Sequence, residues 1–491
     1  MKRVLIHILD IILFICVLGL ILMQLSYVML RKETLVRFGG FFKNPKQYDV
    51  LIVGDSHTVN AIYPMELWHS YGLTAYNLSG YGNTLPVTYW ITKLALEQAD
   101  PKVILICTKD LGFPQKLTAS SGDLHTAFDC FPLSRTKAEA IWDLTDNPDA
   151  MDDYGYRFQD LRAEYLFPLL KYHSRWPEIN IGDCGEVDSL QKGGTMAVNL
   201  AVPDKYTITE DIGSEDSGFG YQYLRKTIEL CQSRNIDVIL INPPYPASYE
   251  SQVHDGVAYY IAQEYGIPYL DFVYMDSIVD YNIDMFDSFS HLNPSGARKV
   301  TDYLGKYLTD HYSLANHKND PAIAPEWDKK YTEYDQYKLS HIDLRQGNPN
   351  LLLMLLHDPT LSLLFYIPEH SAIYQDTLKM RLIQNLARRH LFEEDEGSEW
   401  ADGLFPLDQL TAAANTESAY FLVIDRKDHQ IVEQTGTSFA AVHSSFGTIS
   451  CNGNSFSIDN VQQLTFEADA SFCLLLYDET TQRIERTICV K

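Results

Sequence analysis

Tyr48-Asp49-Val50-Leu51-Ile52-Val53-Gly54-Asp55-Ser56-His57 sets four consecutive apolar residues against a glycine and three side chains that can do chemistry. A short apolar run without alternation is the signature of a strand covered on both faces, as in a parallel sheet. The polar turn then falls at the strand's carboxyl end, the edge where open α/β folds gather their ligands. Ser56 is therefore a candidate nucleophile, although a serine there serves equally well as the N-cap of a following helix.

The same strand pattern recurs at residues 73–78, 102–107 and 236–242, with a weaker fifth run at 267–271. Between these runs, apolar positions at helical spacing predict helices over 87–96, 221–231 and 253–265. A last helix is expected after Pro294, whose ring suits a first helical turn, with Asn293 as its N-cap. Strands alternating with helices give an α/β fold with a parallel sheet. It is expected to span 45–315 and to be interrupted over 114–216 by an aromatic-rich insertion that carries a helix over 154–173. Residues 320–400 read as helical, on the runs 351–356 and 374–390, and 405–491 read as a small β-rich domain of short strands and Gly/Asn turns.

At the other end of the chain, residues 11–30 form a twenty-residue window without charge, long enough to span a bilayer as one helix. No small-x-small cleavage site follows it, so residues 1–32 are expected to stay as an anchor. Lys2 and Arg3 before the run are answered by Arg31, Lys32 and Arg37 after it, so charge does not decide orientation. His7 and Asp10 read as polar residues at the entry to the span. The formal net charge of −26 works against nucleic-acid binding. Of eight cysteines none shows metal-ligand spacing, and Cys107 and Cys473, in apolar strand-like runs, read as buried thiols. No glycine-rich phosphate loop is present, and neither a metal nor a nucleotide cofactor is expected.

A serine nucleophile needs a base and a group that orients the base. Asp287 and His291 lie just before Asn293 and the final helix, after the last strand of the sheet, where both can face Ser56. His291 would take the Ser56 proton and Asp287 would fix its tautomer. Together, Gly54-Asp55-Ser56-His57 and the stretch 287–293 resemble the first and last conserved blocks of the SGNH/GDSL hydrolase superfamily. Three residues separate Asp287 from His291 where the family has two, and the family's third block, Gly-x-Asn-Asp, has no clean counterpart.

The resemblance implies a flavodoxin-like three-layer α/β/α domain. It also implies an oxyanion hole on the loop 77–83, with Gly82 (alternatively Gly80) and Asn83 as donors. The anchor and the stretch 291–299 are similar to membrane-anchored bacterial members related to the alginate O-acetyltransferase and D-alanine transfer protein families. Those relatives imply an extracytoplasmic O-acyl esterase or acyltransferase, acting on an acylated polysaccharide with a multispanning membrane O-acyltransferase as partner. His173, Arg175 and Trp176 in the insertion pair an aromatic face with a guanidinium and are candidate substrate-binding residues. The reading from another class is a non-catalytic glycan-binding or assembly protein on the same scaffold.

Overall fold

The computed structural model describes residues 2–30, 37–341, 360–376 and 407–490, with Met380 and 383–384. Within these ranges 110, 112–116, 119, 153, 186–188, 205, 215–217, 276–277, 282–283, 289, 437, 453–454, 460–461 and 466–469 are not described. The chain divides into two compact units, Met1–Tyr334 and Asp335–Lys491.

The first unit opens with α1 (Lys2–Met29). Its stretch Leu5–Met29 is long and apolar enough to cross a membrane, with a mean hydropathy of 2.9 and none of its most apolar window buried. At the usual helical rise it is about 37 Å long, against a hydrocarbon core of about 30 Å.

Five parallel strands follow: β1 (Val50–Val53), β2 (Ala75–Asn77), β3 (Val103–Cys107), β4 (Asp237–Asn242) and β5 (Tyr269–Asp271), in the order β2-β1-β3-β4-β5. This is the flavodoxin-type order, which reverses direction at β1/β3 and leaves a crevice at the carboxyl ends of those strands. All of β1 and β3 is buried, as their unbroken apolar runs require. The helices fall into two packed groups. One contains α2 (Ser56–Ala61), α3 (Pro64–Tyr71) and α12 (Pro294–His311), and the other contains α4 (Leu85–Ala95), α6 (Arg135–Leu144) and α9 (Phe219–Gln232). Asn293 caps α12 as expected, its Oδ1 accepting from the Ser295 and Gly296 amides.

The helix expected over 253–265 is two, α10 (Tyr249–Asp255) and α11 (Val257–Tyr265), divided at Gly256, a poor helix former. The insertion between β3 and α9 carries α5 (Ser121–Phe128), α6 and a broken segment in place of the single helix expected over 154–173. That segment is a 3₁₀ turn at Phe158–Leu161, then α7 (Arg162–Leu166) and α8 (Leu169–Tyr172). Pro168 separates the last two, since its ring removes a donor and clashes with a preceding turn.

In the second unit, α13 (Ala324–His341) begins within the first unit and ends in the second. The run 351–356 lies outside the described residues. Within the stretch expected to be helical, Leu361–Ile367 is instead a strand, β6, fully buried between β7 (Tyr420–Asp425) and β13 (Phe472–Asp478). A short run apolar throughout reads alike as a buried helix or a central strand, and pairing on both edges decides for the strand. β6 completes an antiparallel sheet ordered β14-β13-β6-β7-β8, with β8 at Gln430–Thr435 and β14 at Arg483–Val490. A second sheet, β12-β11-β10-β9, runs from β9 (Val442–Ser444) through β10 (Gly447–Asn452) and β11 (Ser455–Ile458) to β12 (Gln462–Thr465). The short helix α14 (Asp408–Thr416) packs on β8. Cys473, expected as a thiol, is disulfide-bonded to Cys489 directly across the β13–β14 pair. Cys107 is a buried free thiol.

Candidate active site

Ser56 is the first residue of α2, immediately beyond β1, so the parallel sheet holds it at its carboxyl edge. Gly54 makes that turn fit: a Cβ there would lie 2.3 Å from the Cys107 Cβ and 2.7 Å from the Thr58 hydroxyl. Asp55 caps the helix through the His57 amide, at 3.0 Å. That cap leaves the Ser56 hydroxyl free to meet a partner from elsewhere in the chain.

The partner is His291, whose Nε2 lies 2.9 Å from Ser56 Oγ across 235 residues of sequence. Its Nδ1 is 2.6 Å from Asp287 Oδ2, while Asp287 Oδ1 accepts from the Ser290 and His291 amides at 2.6 and 3.0 Å. Three intervening residues thus allow the carboxylate to bind both the backbone and the ring of His291. The loop is closed by the Phe286 amide donating to the His291 carbonyl and by the Met285–Leu292 bridge. Asp284 fastens it to α12: its carboxylate, fully buried, accepts from Lys299 Nζ at 2.7 and 2.9 Å and from Ser295 Oγ at 2.8 Å. Nothing in a spacing of fifteen residues marks Lys299 as its partner.

His57, the residue after Ser56 in the first block, forms a second imidazole–carboxylate pair beside the first. Its Nδ1 is 2.7 Å from Asp55 Oδ2, and its ring stacks on His291 with centroids 5.0 Å apart. Burial holds its pKa below the ordinary histidine value, against the pull of Asp55, so the ring is neutral and donates from Nδ1. Burial alone would raise the Asp55 carboxyl, but His57 and then Lys109 outweigh it and hold the group well below the usual carboxylate range. The signal was in the string itself, an Asp and a His on either side of the serine.

The loop after β2 rests on the backbone just before Ser56, with the Gly80 amide and Asn83 Nδ2 donating to the Gly54 carbonyl at 2.9 and 3.3 Å. Gly82 takes a left-handed conformation, φ +66°, and the Asp123 carboxylate lies against it, 2.5 Å from where a Cβ would stand. Negative charge beside Gly82 disfavours it as a donor to an oxyanion, whereas Asn83 retains a second amide hydrogen.

The candidates in the insertion lie elsewhere. Arg175 Nη1 donates to the Met29 and Leu30 carbonyls at 2.7 and 2.8 Å, satisfying acceptors that the end of α1 leaves open. His173 Nδ1 pairs with the Leu170 carbonyl at 2.7 Å, and Trp176 is exposed. Tyr172 packs with Met29 and Leu30. Arg175 thus caps a helix instead of contacting Ser56, His291 or Asp287, because unsatisfied helix carbonyls are strong acceptors for a nearby guanidinium. Among the described residues no cluster of three His, Cys, Asp or Glu side chains is placed to hold a metal.

No protein-family model matches the chain, and no curated protein matches it. Among solved structures, a candidate acylhydrolase from Bacteroides fragilis is similar at 12% identity, over 56% of this chain and 95% of that one, with a TM-score of 0.27. A likeness that distant bears no weight, and the reading of the site rests on its own geometry.

Proposed function

We propose that the chain is an SGNH-type serine enzyme of acyl-ester chemistry, and the observation that carries this reading is the hydrogen-bonded series Ser56–His291–Asp287. As His291 Nε2 takes the hydroxyl proton, Ser56 Oγ attacks the ester carbonyl carbon. The tetrahedral intermediate collapses by breaking the bond to the leaving oxygen, which receives that proton from His291. The acyl group is then a serine ester. Water or a second hydroxyl, deprotonated by His291, attacks it, and Ser56 regains its proton. Asp287, bound to the Nδ1 side, stabilises the imidazolium formed at each transfer. Asn83, on the loop against Gly54, is the proposed oxyanion donor.

The setting is a membrane-anchored, extracytoplasmic domain acting on an O-acylated, chiefly O-acetylated, polysaccharide, with a multispanning membrane acyltransferase as donor when the acceptor is a hydroxyl. Two features support that setting: an apolar α1 whose most apolar window is unburied, and a cross-strand disulfide of the kind that persists in oxidising compartments. The alternative, a non-catalytic glycan-binding or assembly protein on the same scaffold, draws on the irregular Asp-to-His spacing, across which Asp287 and His291 nevertheless meet at 2.6 Å, and on the missing third block.

Turnover of an acetyl ester by the full chain tests the proposal. Ser56→Ala and His291→Ala are each expected to lower kcat by at least about 10³-fold. Turnover unchanged in Ser56→Ala refutes the assignment.

A further inference from the structure

Within fifteen residues the insertion leaves four large apolar side chains exposed: Phe167 and Leu170 by about half, Trp176 by 63% and Ile181 by 94%. Single exposed apolar residues are ordinary on a protein surface, whereas a concentration of them marks a surface with a partner. All four lie on or next to the short elements that pack around the end of α1. These are α8 and the 3₁₀ turns His173–Glu178 and Ile181–Cys184.

Three contacts tie these elements to the last turn of α1. Tyr172 packs on Met29 and Leu30, together with Leu169 and Ile179. Arg175 caps the Met29 and Leu30 carbonyls. Tyr27 Oη donates to the Gly185 carbonyl at 3.1 Å. With α1 across a bilayer, a helix of about 37 Å in a hydrocarbon core of about 30 Å brings that last turn to the boundary between acyl chains and headgroups. Whatever packs against the turn then lies at the same depth, to within the reach of a side chain. Tryptophan and tyrosine are favoured in that zone, and apolar side chains such as Ile181 leave water there.

We propose that residues 167–184 seat the α/β unit on the surface of a lipid bilayer, with Trp176 and Ile181 entering the boundary beside the end of α1. The inference rests on the membrane-spanning reading of α1 and is independent of the chemistry at Ser56. A net charge of −26 gives the body no attraction to anionic lipid, so the contact is apolar and aromatic and a zwitterionic bilayer suffices. Two short links join this seat to the serine site. On α5, the His125 ring meets Tyr165 at 4.5 Å and Tyr172 at 6.0 Å, while the Asp123 carboxylate lies against Gly82. Six residues separate Leu30 from Arg37, a length that reaches about 24 Å at most, and the Arg37 guanidinium donates to the Ser79 carbonyl. The loop beside Ser56 is thereby held at a fixed height over the bilayer.

The test is photocrosslinking of the full chain in nanodiscs of palmitoyl-oleoyl-phosphatidylcholine, with p-benzoylphenylalanine placed at one position at a time. Leu20, within α1, reports the span; Trp176 and Ile181 report the seat; Tyr259, exposed on α11, is the reference. Lipid adducts, counted by mass spectrometry, are expected at Leu20, and at Trp176 and Ile181 at least tenfold above Tyr259. Unchanged circular dichroism establishes that each variant is folded. Adducts at Leu20 with Trp176 and Ile181 no higher than Tyr259 overturn the seat and leave the span standing, as a surface covered by a partner protein would give. Absence of adducts at all four positions overturns both. Adducts at Trp176 and Ile181 without any at Leu20 support the seat while overturning the span. Acetyl-ester turnover by the same nanodiscs is read separately, so that failure of the serine chemistry is not mistaken for failure of the seat.

Discussion

Asp287 serves two hydrogen-bonding duties with one carboxylate: Oδ1 takes two backbone amides of its own loop and Oδ2 the His291 ring. An amide in its place can satisfy only part of that pattern and favours the wrong imidazole tautomer. Asp287→Asn is expected to lower kcat for an acetyl ester about 10³- to 10⁴-fold with the urea midpoint little changed, and a loss below tenfold would remove Asp287 from the triad. At this scale the sequence was informative where chemistry is written in consecutive residues. Ser56, His291 and Asp287 could be picked out because each sits beside a strand or helix boundary. Arg175 could not be placed, because what it touches is a pair of carbonyls 145 and 146 residues away. His57 was visible, but its stacking on His291 depends on how α2 meets the loop before α12.

The site lies at the carboxyl edge of the parallel sheet, where the ends of neighbouring strands hold further titratable groups. Asp271, at the end of β5, accepts from Tyr269 Oη at 2.8 Å and from Asn242 Nδ2 at 3.1 Å, yet burial raises its carboxyl to about 6. A folded-state pKa above the unfolded one stabilises the protein at low pH, fully below about 4, and that stability is lost as pH rises through about 6. Roughly 1–2 kcal/mol is at stake, since the group is partly open to water. Urea unfolding at pH 4 and pH 7 should show the wild type losing that amount relative to Asp271→Asn, and an identical pH response in both would contradict the assignment. Strands β1 and β3 were the most legible, because buried parallel strands are apolar throughout and punctuated by turns. β6 was not, because the same property fits a buried helix until its neighbours, some sixty and one hundred and ten residues later in the chain, pair with it.

As a whole, the molecule joins an apolar N-terminal helix to an α/β unit bearing the serine site, with a separate β-rich unit closed by Cys473–Cys489. The division between units falls at 334/335, inside α13, where no change of composition marks it. Whether the molecule does acyl-ester chemistry depends on one property, an activated Ser56. The direct measurement is reaction of the folded full chain with a fluorophosphonate probe, followed by mass spectrometry of the labelled peptide. One probe per chain at Ser56 is expected, absent in Ser56→Ala and slowed at least about 10²-fold in His291→Ala. A folded wild-type protein that takes no label, or labelling undiminished in Ser56→Ala, would contradict the serine mechanism.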